Sequence, residues 1–378
     1  MSIAILGAGL FAKEAHLPAL YENHAKVVAV YSRSSKSANE LVKEAEKLDA
    51  AAAKGMEVYS DDTAGHGLDD LLKRKDIAGV VVALPILVQP DVVRKCLAAG
   101  KHVLCEKPIA KDVESAVSLI KEYEAKYQSK NLIFSIAEQF RYDLCYEKAR
   151  QVIAKGDIGK VASVHARVWG NIQPGQNKWY ETEWRKIPEY QGGFILDGGV
   201  HFIALIRHVS GQEIIETNSF AMQTYDHLPP VDTVNAALRF SGGALGSLSL
   251  SFASVKGNFE FIFVGTSGSL TISGADGGNR LVVEDAEGKV KSDEIIAGKG
   301  VFEEVRAFIE AVKTGKADEK AGPRQALADL AVIETVAPIV VILIMQDPEL
   351  DIASLLKDIN DANTALDGLE AKADALNA

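Results

Sequence analysis

Cysteine is scarce in this chain of 378 residues, and its spacing argues against two classes of protein. The three cysteines, Cys96, Cys105 and Cys145, form no Cys-x-x-Cys pair and no cluster with histidine. A disulfide scaffold and a cysteine-bound metal site are therefore disfavoured. We predict buried, unpaired thiols and a reducing compartment, the cytoplasm.

Long apolar runs are lacking as well. The one apolar run that could be considered as a membrane span, residues 339–345, is far shorter than the roughly twenty residues that a membrane-crossing helix needs. The chain enters a strand-like segment by Ile3, which leaves no room for the charged and apolar parts of a signal peptide. We therefore expect neither a membrane span nor secretion.

An excess of positive charge is also missing. Lysine and arginine total 41 against 52 acidic residues, and the formal net charge of −11 repels nucleic acids and acidic membrane surfaces. The eight histidines are scattered without a His-x-x-x-His pair, so we expect no metal site. An anionic ligand would have to be bound by a local group of basic residues.

The composition that is present, 47% hydrophobic and 25% charged, is that of a globular protein, and the length suits two domains. Residues 1–137 alternate strands with helices, which predicts an α/β domain with a doubly wound parallel sheet. Residues 138–345 show strands of period-two alternation between glycine turns, which predicts an α+β domain with a large, mostly antiparallel open sheet. Residues 346–378 predict a C-terminal helical extension with a heptad-like apolar stripe; packing on its own chain is favoured over an intermolecular coil.

A glycine motif lies between the first predicted strand and the helix after it. It reads Gly7-Ala8-Gly9-Leu10-Phe11-Ala12. Gly7 permits a tight turn, Gly9 lets the backbone approach a pyrophosphate, and Ala12 allows the helix to pack closely on the strand. Because the free N–H groups at the start of a helix bind anions, the motif predicts a dinucleotide site.

The end of the second predicted strand distinguishes between the two common dinucleotides. An NAD site usually has a carboxylate there for the ribose 2′-hydroxyl, but this chain has Ser32, Arg33, Ser34 and Lys36. Hydroxyls and a guanidinium can bind a 2′-phosphate, and Lys36 adds a further charge, so the sequence predicts NADP(H). The alternative is a polar helix N-cap with solvated basic residues.

Further segments resemble the Gfo/Idh/MocA family of oxidoreductases. The most specific is Glu106-Lys107-Pro108 at the end of the segment 100–108, and the others are His16-Leu17-Pro18, residues 137–142, Trp184-Arg185, residues 192–201 and residues 265–268. The resemblance covers roughly residues 1–336. It implies an N-terminal Rossmann domain, a cis bond before Pro108, and a homodimer that forms through the exposed sheet face of the second domain.

The stretch after the fourth predicted strand departs from the family pattern. The family has Pro-Asn with a histidine three residues further on, whereas this chain has Leu84, Pro85 and then Gln89. The resemblance implies that these residues and Glu106 contact the cofactor, with Gln89 as the hydrogen-bonding replacement. The family also often has an aspartate at the position of Ala204, so a sugar-binding carboxylate is missing here.

Three residues are candidates for the chemistry. Lys107 is predicted at the carboxyl edge of a parallel strand, where its charge would stabilise an alkoxide that develops as hydride leaves the carbon. Asp197 and His201 are four residues apart and would share one helix face, so the carboxylate could fix the imidazole tautomer of a general acid/base. The alternatives are a surface lysine and a structural histidine.

A polar, aromatic pocket for the substrate is predicted from five residues. They are Arg141, Trp179, Tyr180, Trp184 and Arg185. Such residues hold sugars or related polyols, but a place in the core or in an interface is an equal alternative.

These observations predict hydride transfer between NADP(H) and a carbonyl or secondary alcohol of a small sugar-like, polyol or cyclic substrate. One alternative is a non-catalytic NADP-binding regulator that binds a transcription factor. Another is a family member that uses its nicotinamide only transiently, to cleave glycosidic bonds.

Overall fold

The computed structural model of the chain describes residues 1–190 and 193–337. Two predicted features, the apolar run 339–345 and the helical extension 346–378, therefore lie outside the described residues. None of the helices in the described ranges combines the length and the apolarity that a bilayer crossing requires.

Short aliphatic strands form the first sheet. They are β1 (Ser2–Leu6), β2 (Lys26–Ser32), β3 (Glu57–Ser60), β4 (Gly79–Val82), β5 (His102–Glu106) and β6 (Phe134–Ala137). All pairs are parallel, in the order β3-β2-β1-β4-β5-β6. The order reverses between β1 and β4, and sheets of this kind bind ligands in the crevice at that reversal. The predicted doubly wound sheet is confirmed.

Helices cover both faces of this sheet, because its strands are apolar on both sides. They include a π-helix (Ala12–His16), α1 (Leu17–Glu22), α2 (Ser35–Ala53), α3 (Leu68–Leu72), α4 (Gln89–Ala98) and α5 (Val113–Lys126), and a 3₁₀ turn (Gln128–Lys130) follows α5. Leu17 of α1 and Leu41 of α2 pack with Ile5 on one face. Leu71 of α3 and Ile120 of α5 belong to the core on the other face.

Longer strands form the second sheet. They are β7 (Val161–Asn171), β8 (Ile214–Met222), β9 (Thr233–Phe240), β10 (Leu245–Ser251), β11 (Ala253–Gly265), β12 (Gly268–Ala275), β13 (Gly278–Asp285) and β14 (Val290–Ile296). Their order is β14-β13-β12-β11-β7-β10-β9-β8, and every pair is antiparallel except the central β7–β10 pair. The predicted open, mostly antiparallel sheet is confirmed.

One face of the second sheet is covered and the other is open. The covering helices are α6 (Leu144–Lys155), α8 (Gly193–Ser210) and α10 (Pro323–Val336), while α7 (Glu183–Lys186) lies in the connection between β7 and α8; 3₁₀ turns occur at Gln139–Arg141 and Glu319–Ala321. Along β7 the buried side chains Val164, Ala166 and Val168 alternate with the exposed His165 and Arg167. This alternation is typical of an antiparallel sheet with one solvated face.

Helix α9 (Gly300–Thr314) belongs by sequence to the second predicted domain, residues 138–345, but it packs against the first domain. Its side chains Val305 and Phe308 pack with Ile3 and Ile5 of β1, in the core of the first domain. The chain therefore returns to the first domain after the second sheet. This return brings the first turn of α9 close to the ends of β5 and β6.

Candidate active site

The glycine turn after β1 has the geometry that a dinucleotide site requires. Gly7 has a φ of +113°, and a Cβ there would lie 2.1 Å from the carbonyl oxygen of Ala83, so only glycine fits. A Cβ on Gly9 would meet no heavy atom within 4 Å. The backbone of Gly9 is therefore open to an approaching ligand, and helical structure begins directly after it at Leu10 and Phe11. Ala12 is buried against the sheet, as predicted.

The predicted phosphate-binding residues lie together at the end of β2. Ser34 caps helix α2 by accepting a hydrogen bond from the Ser37 N–H, and Ser32 donates to the Ser37 hydroxyl. The side chains of Arg33 and Lys36 are exposed and make no hydrogen bond or ion pair with any described residue. Two basic groups at this edge therefore lack a protein partner.

Two carboxylates that the sequence analysis did not consider lie beside these residues, after β3. Asp62 accepts hydrogen bonds from the N–H and the hydroxyl of Ser35, at 3.0 and 3.1 Å. Asp61 accepts a 2.9 Å bond from the Tyr31 hydroxyl, and burial together with this bond raises the pKa of Tyr31 to about 12. Both carboxylates are thus bonded to other groups and not to Arg33.

Lys107 lies directly after β5, at the carboxyl edge, and the bond from Lys107 to Pro108 is cis. Its ammonium group donates to the main-chain oxygen of Asp197 at 2.6 Å and to the carboxylate of Asp197 at 3.1 Å. An ammonium has three N–H donors, so one remains for a substrate oxygen. The geometry connects the first sheet to helix α8 of the second domain.

The structure corrects the predicted role of Asp197. Its carboxylate is bonded to Lys107 and to Arg185 Nε, the latter at 2.7 Å, instead of to His201. Burial alone would raise the pKa of Asp197, but the charges of Lys107 and Arg185 outweigh it and hold the pKa well below its usual range. Asp197 therefore positions two cations and does not set the imidazole tautomer.

Glu138 takes the place that the sequence analysis gave to Asp197. This carboxylate directly follows β6 and lies 2.7 Å from His201 Nδ1. Glu138 is buried, which alone would raise its pKa, but the charge and hydrogen bond of His201 lower it, so the group stays ionised. It therefore holds the proton on Nδ1 and leaves Nε2 as the basic nitrogen. Phe140 stacks on the imidazole at 4.7 Å and fixes the ring plane.

Three of the five predicted substrate residues lie next to this site. The guanidinium of Arg185 lies over the rings of Trp184, at 3.9 Å, and Trp179, at 5.7 Å, while its Nε bonds Asp197. The Trp179 ring also lies 6.1 Å from that of Phe11 in the glycine motif. An aromatic and cationic wall thus extends from the glycine motif to Asp197.

The other two predicted substrate residues lie elsewhere, which is a correction. Arg141 is 3% exposed and its guanidinium forms a 2.5 Å ion pair with buried Asp329. Tyr180 packs in a small apolar cluster with Phe194 and Leu228. Both side chains are taken up by contacts inside the protein and are not available to a ligand.

Gln89, predicted to contact the cofactor, is fully buried and its side chain is bonded within the protein. Its amide donates a 3.2 Å hydrogen bond to the main-chain oxygen of Pro108 and lies 3.6 Å from the Cys105 sulfur. Gln89 therefore holds the main chain at Pro108, directly after Lys107. Leu84 lies next to the glycine turn, since its side chain is 3.3 Å from the position of a Cβ on Gly7, and Pro85 follows it in the chain.

Glu138 and Glu304 are two further residues near the site that the sequence analysis missed. Glu138 carried a usable signal, because a carboxylate directly after a buried strand lies at the same sheet edge as Lys107. Glu304, in the first turn of α9, carried none, because nothing local indicates that α9 returns to the first domain. Glu106, predicted to contact the cofactor, is bonded to His16 at 2.6 Å.

The chain is similar to known proteins over both of its domains. The chain matches the family models described as "Oxidoreductase family, NAD-binding Rossmann fold" over residues 1–133 and "GFO/IDH/MocA C-terminal domain" over residues 146–271. It is 38% identical over 344 residues to Dehydrogenase FPY6 of Fusarium mangiferae, covering 89% of this chain and 95% of that one. It is 28% identical over 322 residues to dTDP-3,4-didehydro-2,6-dideoxy-alpha-D-glucose 3-reductase of Streptomyces violaceoruber, covering 83% and 85%. The crystal structure of an oxidoreductase from Thermotoga maritima is 29% identical, with a TM-score of 0.77 over 89% of this chain and 96% of that one.

Proposed function

Since the chain belongs to the Gfo/Idh/MocA family of oxidoreductases and carries a nucleotide-binding Rossmann domain, we propose that it transfers hydride between NADP(H) and a carbonyl or secondary alcohol. The observation that carries the proposal is that Lys107 is bonded to Asp197 of α8, one helical turn before His201 on the same helix. Asp197 and Glu138 hold these two side chains in place. An anchored ammonium and an imidazole of fixed tautomer are the two groups that carbonyl reduction needs.

Each residue has a defined part in the proposed reaction. The nicotinamide supplies or accepts the hydride when it is bound. Lys107 donates a hydrogen bond to the substrate oxygen and stabilises its negative charge. His201 Nε2 takes the hydroxyl proton during oxidation or returns it during reduction. Glu138 stabilises the imidazolium that forms, through its bond to Nδ1.

The fit of NADP(H) to the first domain is supported by three features of the chain. They are the glycine-only turn at Gly7, the open backbone at Gly9, and the basic side chains of Arg33 and Lys36, which are bonded to none of the residues that the structure describes. The 2′-phosphate would lie between Arg33, Lys36 and the hydroxyls of Ser32 and Ser34.

Replacing Arg33 by alanine should weaken NADPH binding about 10- to 100-fold and leave NADH binding unchanged, because a guanidinium–phosphate bond contributes about 1.5–3 kcal/mol. Fluorescence titration of both nucleotides measures the effect. Arg150→Ala, a change of a half-exposed arginine on α6, is the matched control and should not alter either affinity. Equal binding of NADPH and NADH to the unmodified protein would reject the NADP assignment, and no binding of either would favour a regulator without redox activity.

The proposed substrate is small and sugar-like, a polyol or a cyclic alcohol. Trp179, Trp184 and Arg185 offer aromatic faces and hydrogen-bond donors beside Asp197, which suits a ring that carries hydroxyl groups. The name of the Streptomyces relative, a reductase of a nucleotide-linked deoxy sugar, supports this class. Because Ala204 stands where the family often has an aspartate, we propose that the aromatic and cationic wall, and not a carboxylate at that position, recognises the hydroxyl groups.

A homodimer is proposed through the open face of the second sheet. Phe220 of β8 is 79% exposed and Leu245 of β10 is 59% exposed on that face. We expect static light scattering to give the mass of two chains, and Leu245→Asp to shift it toward one. Leu48→Asp, on exposed helix α2, is the control and should leave the mass unchanged. A single-chain mass for the unmodified protein would reject the dimer.

A cytoplasmic location is also proposed. It is supported by Cys96, Cys105 and Cys145, which are all buried and unpaired, as in proteins of a reducing compartment.

A further inference from the structure

A buried group of ionisable side chains includes Glu106, the residue before Lys107, and has no part in the proposed reaction. We call it the acid cluster; it consists of His16, Glu106 and Glu304, whose polar atoms all lie within 4.8 Å of one another. His16 is fully buried and Glu304 is 2% exposed. His16 Nε2 is bonded to Glu106, but His16 Nδ1 and both oxygens of Glu304 have no hydrogen-bond partner within residues 1–190 and 193–337.

The acid cluster carries more potential negative charge than its surroundings balance. Four elements place titratable groups around Glu304: His16 from the π-helix, Glu106 at the end of β5, Glu138 after β6, and Tyr142 after the 3₁₀ turn. Among the described residues, no lysine or arginine is bonded to Glu304. Burial, together with the charges of Glu106 and Glu138, raises the pKa of Glu304 well above its ordinary value. Neighbouring buried carboxyls cannot both ionise readily, so the neutral form of Glu304 is favoured.

We propose that the acid cluster stores a proton whose retention depends on the redox state of the bound nicotinamide. The inference rests on the proposed function, which places the nicotinamide at Lys107, the residue next to Glu106. The oxidised ring carries a positive charge and the reduced ring is neutral. With the oxidised cofactor, the ring charge balances the second carboxylate, and Glu304 releases its proton to the solvent. With the reduced cofactor, Glu304 stays a neutral acid.

The proton balance of this step is simple. The Glu304 carboxylic acid becomes a carboxylate plus one proton, which the buffer takes up, and no bond to the cofactor forms or breaks. Two consequences follow by linkage. The affinity for NADP⁺ rises with pH relative to that for NADPH, and oxidation of the cofactor on the protein releases more protons than oxidation in solution.

Calorimetric titration of the full chain with NADP⁺ and with NADPH tests the proposal without any substrate. Each titration is repeated at one pH in phosphate and in Tris, whose ionisation enthalpies differ, so that the difference in heat gives the number of protons exchanged. NADP⁺ should release more protons than NADPH, by up to about one per chain. Glu304→Gln, which keeps the shape and removes the ionisation, should abolish the difference. Glu310→Gln, on the exposed side of the same helix, should preserve it.

The outcomes separate this inference from the proposed function. If neither nucleotide binds, the proposed function fails. If both bind and release equal numbers of protons, the acid cluster proposal is wrong and the oxidoreductase proposal stands. A divalent ion found in stoichiometric amount in the purified protein, and lost in Glu304→Gln, would also overturn the proposal that the cluster stores a proton.

An infrared difference spectrum of the unmodified protein is a second test, which needs no variant. The carbonyl band of a protonated carboxyl should disappear when NADP⁺ replaces NADPH, and its persistence would reject the proposal.

Discussion

Replacing Lys107 by methionine should lower kcat/KM for NADPH-dependent reduction by about 10²–10³-fold, the usual cost of removing one donor that stabilises a developing oxyanion. The methionine keeps most of the aliphatic stem but cannot donate to the substrate oxygen. NADPH affinity should change little, because the proposed reaction places Lys107 at the nicotinamide end of the cofactor and away from its phosphates. The assay follows NADPH consumption with D-xylose, D-glucose and glyceraldehyde, and fluorescence titration measures the affinity separately.

The variant is expected to fold, because Asp197 keeps its bond to Arg185 when the ammonium is removed. Lys121→Met, on the exposed side of α5, is the control and should retain the full rate. A Lys107→Met protein that binds NADPH and retains its rate within a factor of a few would show that another group polarises the oxygen.

The cofactor half of the site could be predicted because its signals are local. The turn at Gly7 needs a positive φ and leaves no room for a Cβ, so the sequence must contain glycine there, directly after an apolar strand. Alternating strands and helices then indicate a parallel sheet, which places Lys107 at its carboxyl edge. The π-helical turn over Ala12–His16 was not predicted, since the sequence has only ordinary helical spacing in that segment.

The partner of His201 could not be predicted in the same way. Spacing places Asp197 and His201 on one face of α8, but it cannot say which groups from other elements approach that face. Lys107 approaches Asp197 from the end of β5, and Glu138 approaches His201 from the end of β6. A cation attracts the carboxylate more strongly than a neutral imidazole does, so Asp197 bonds to Lys107 and leaves His201 to Glu138.

The partner of Arg141 is even harder to predict from the sequence than that of His201, because it is 188 positions away in the chain. Asp329 of α10 accepts 2.5 Å bonds from both Arg141 and Arg207, and all three side chains are almost fully buried. An arginine next to aromatic residues has the same sequence signature in a ligand pocket and in a buried ion network. Only the return of α10 to the second domain decides between them.

Asp329→Ala should therefore lower the free energy of unfolding by about 3–5 kcal/mol, because it leaves two almost fully buried cations poorly paired: Arg141 loses its carboxylate and Arg207 keeps only Glu213 as an acidic partner. Glu294→Ala is the control. Its ion pair with Lys148 has a similar separation, 2.6 Å, but both side chains are more than 40% exposed and lie on the helix-covered side of the sheet, away from the proposed dimer face, so the loss should stay below about 1 kcal/mol. Urea unfolding followed by circular dichroism measures both changes. Because both pairs join a carboxylate to a cation at nearly the same distance, a large loss confined to Asp329→Ala would assign the cost to burial. Equal losses would mean that Arg141 is solvated in its place, and its assignment to the substrate pocket would have to be reopened.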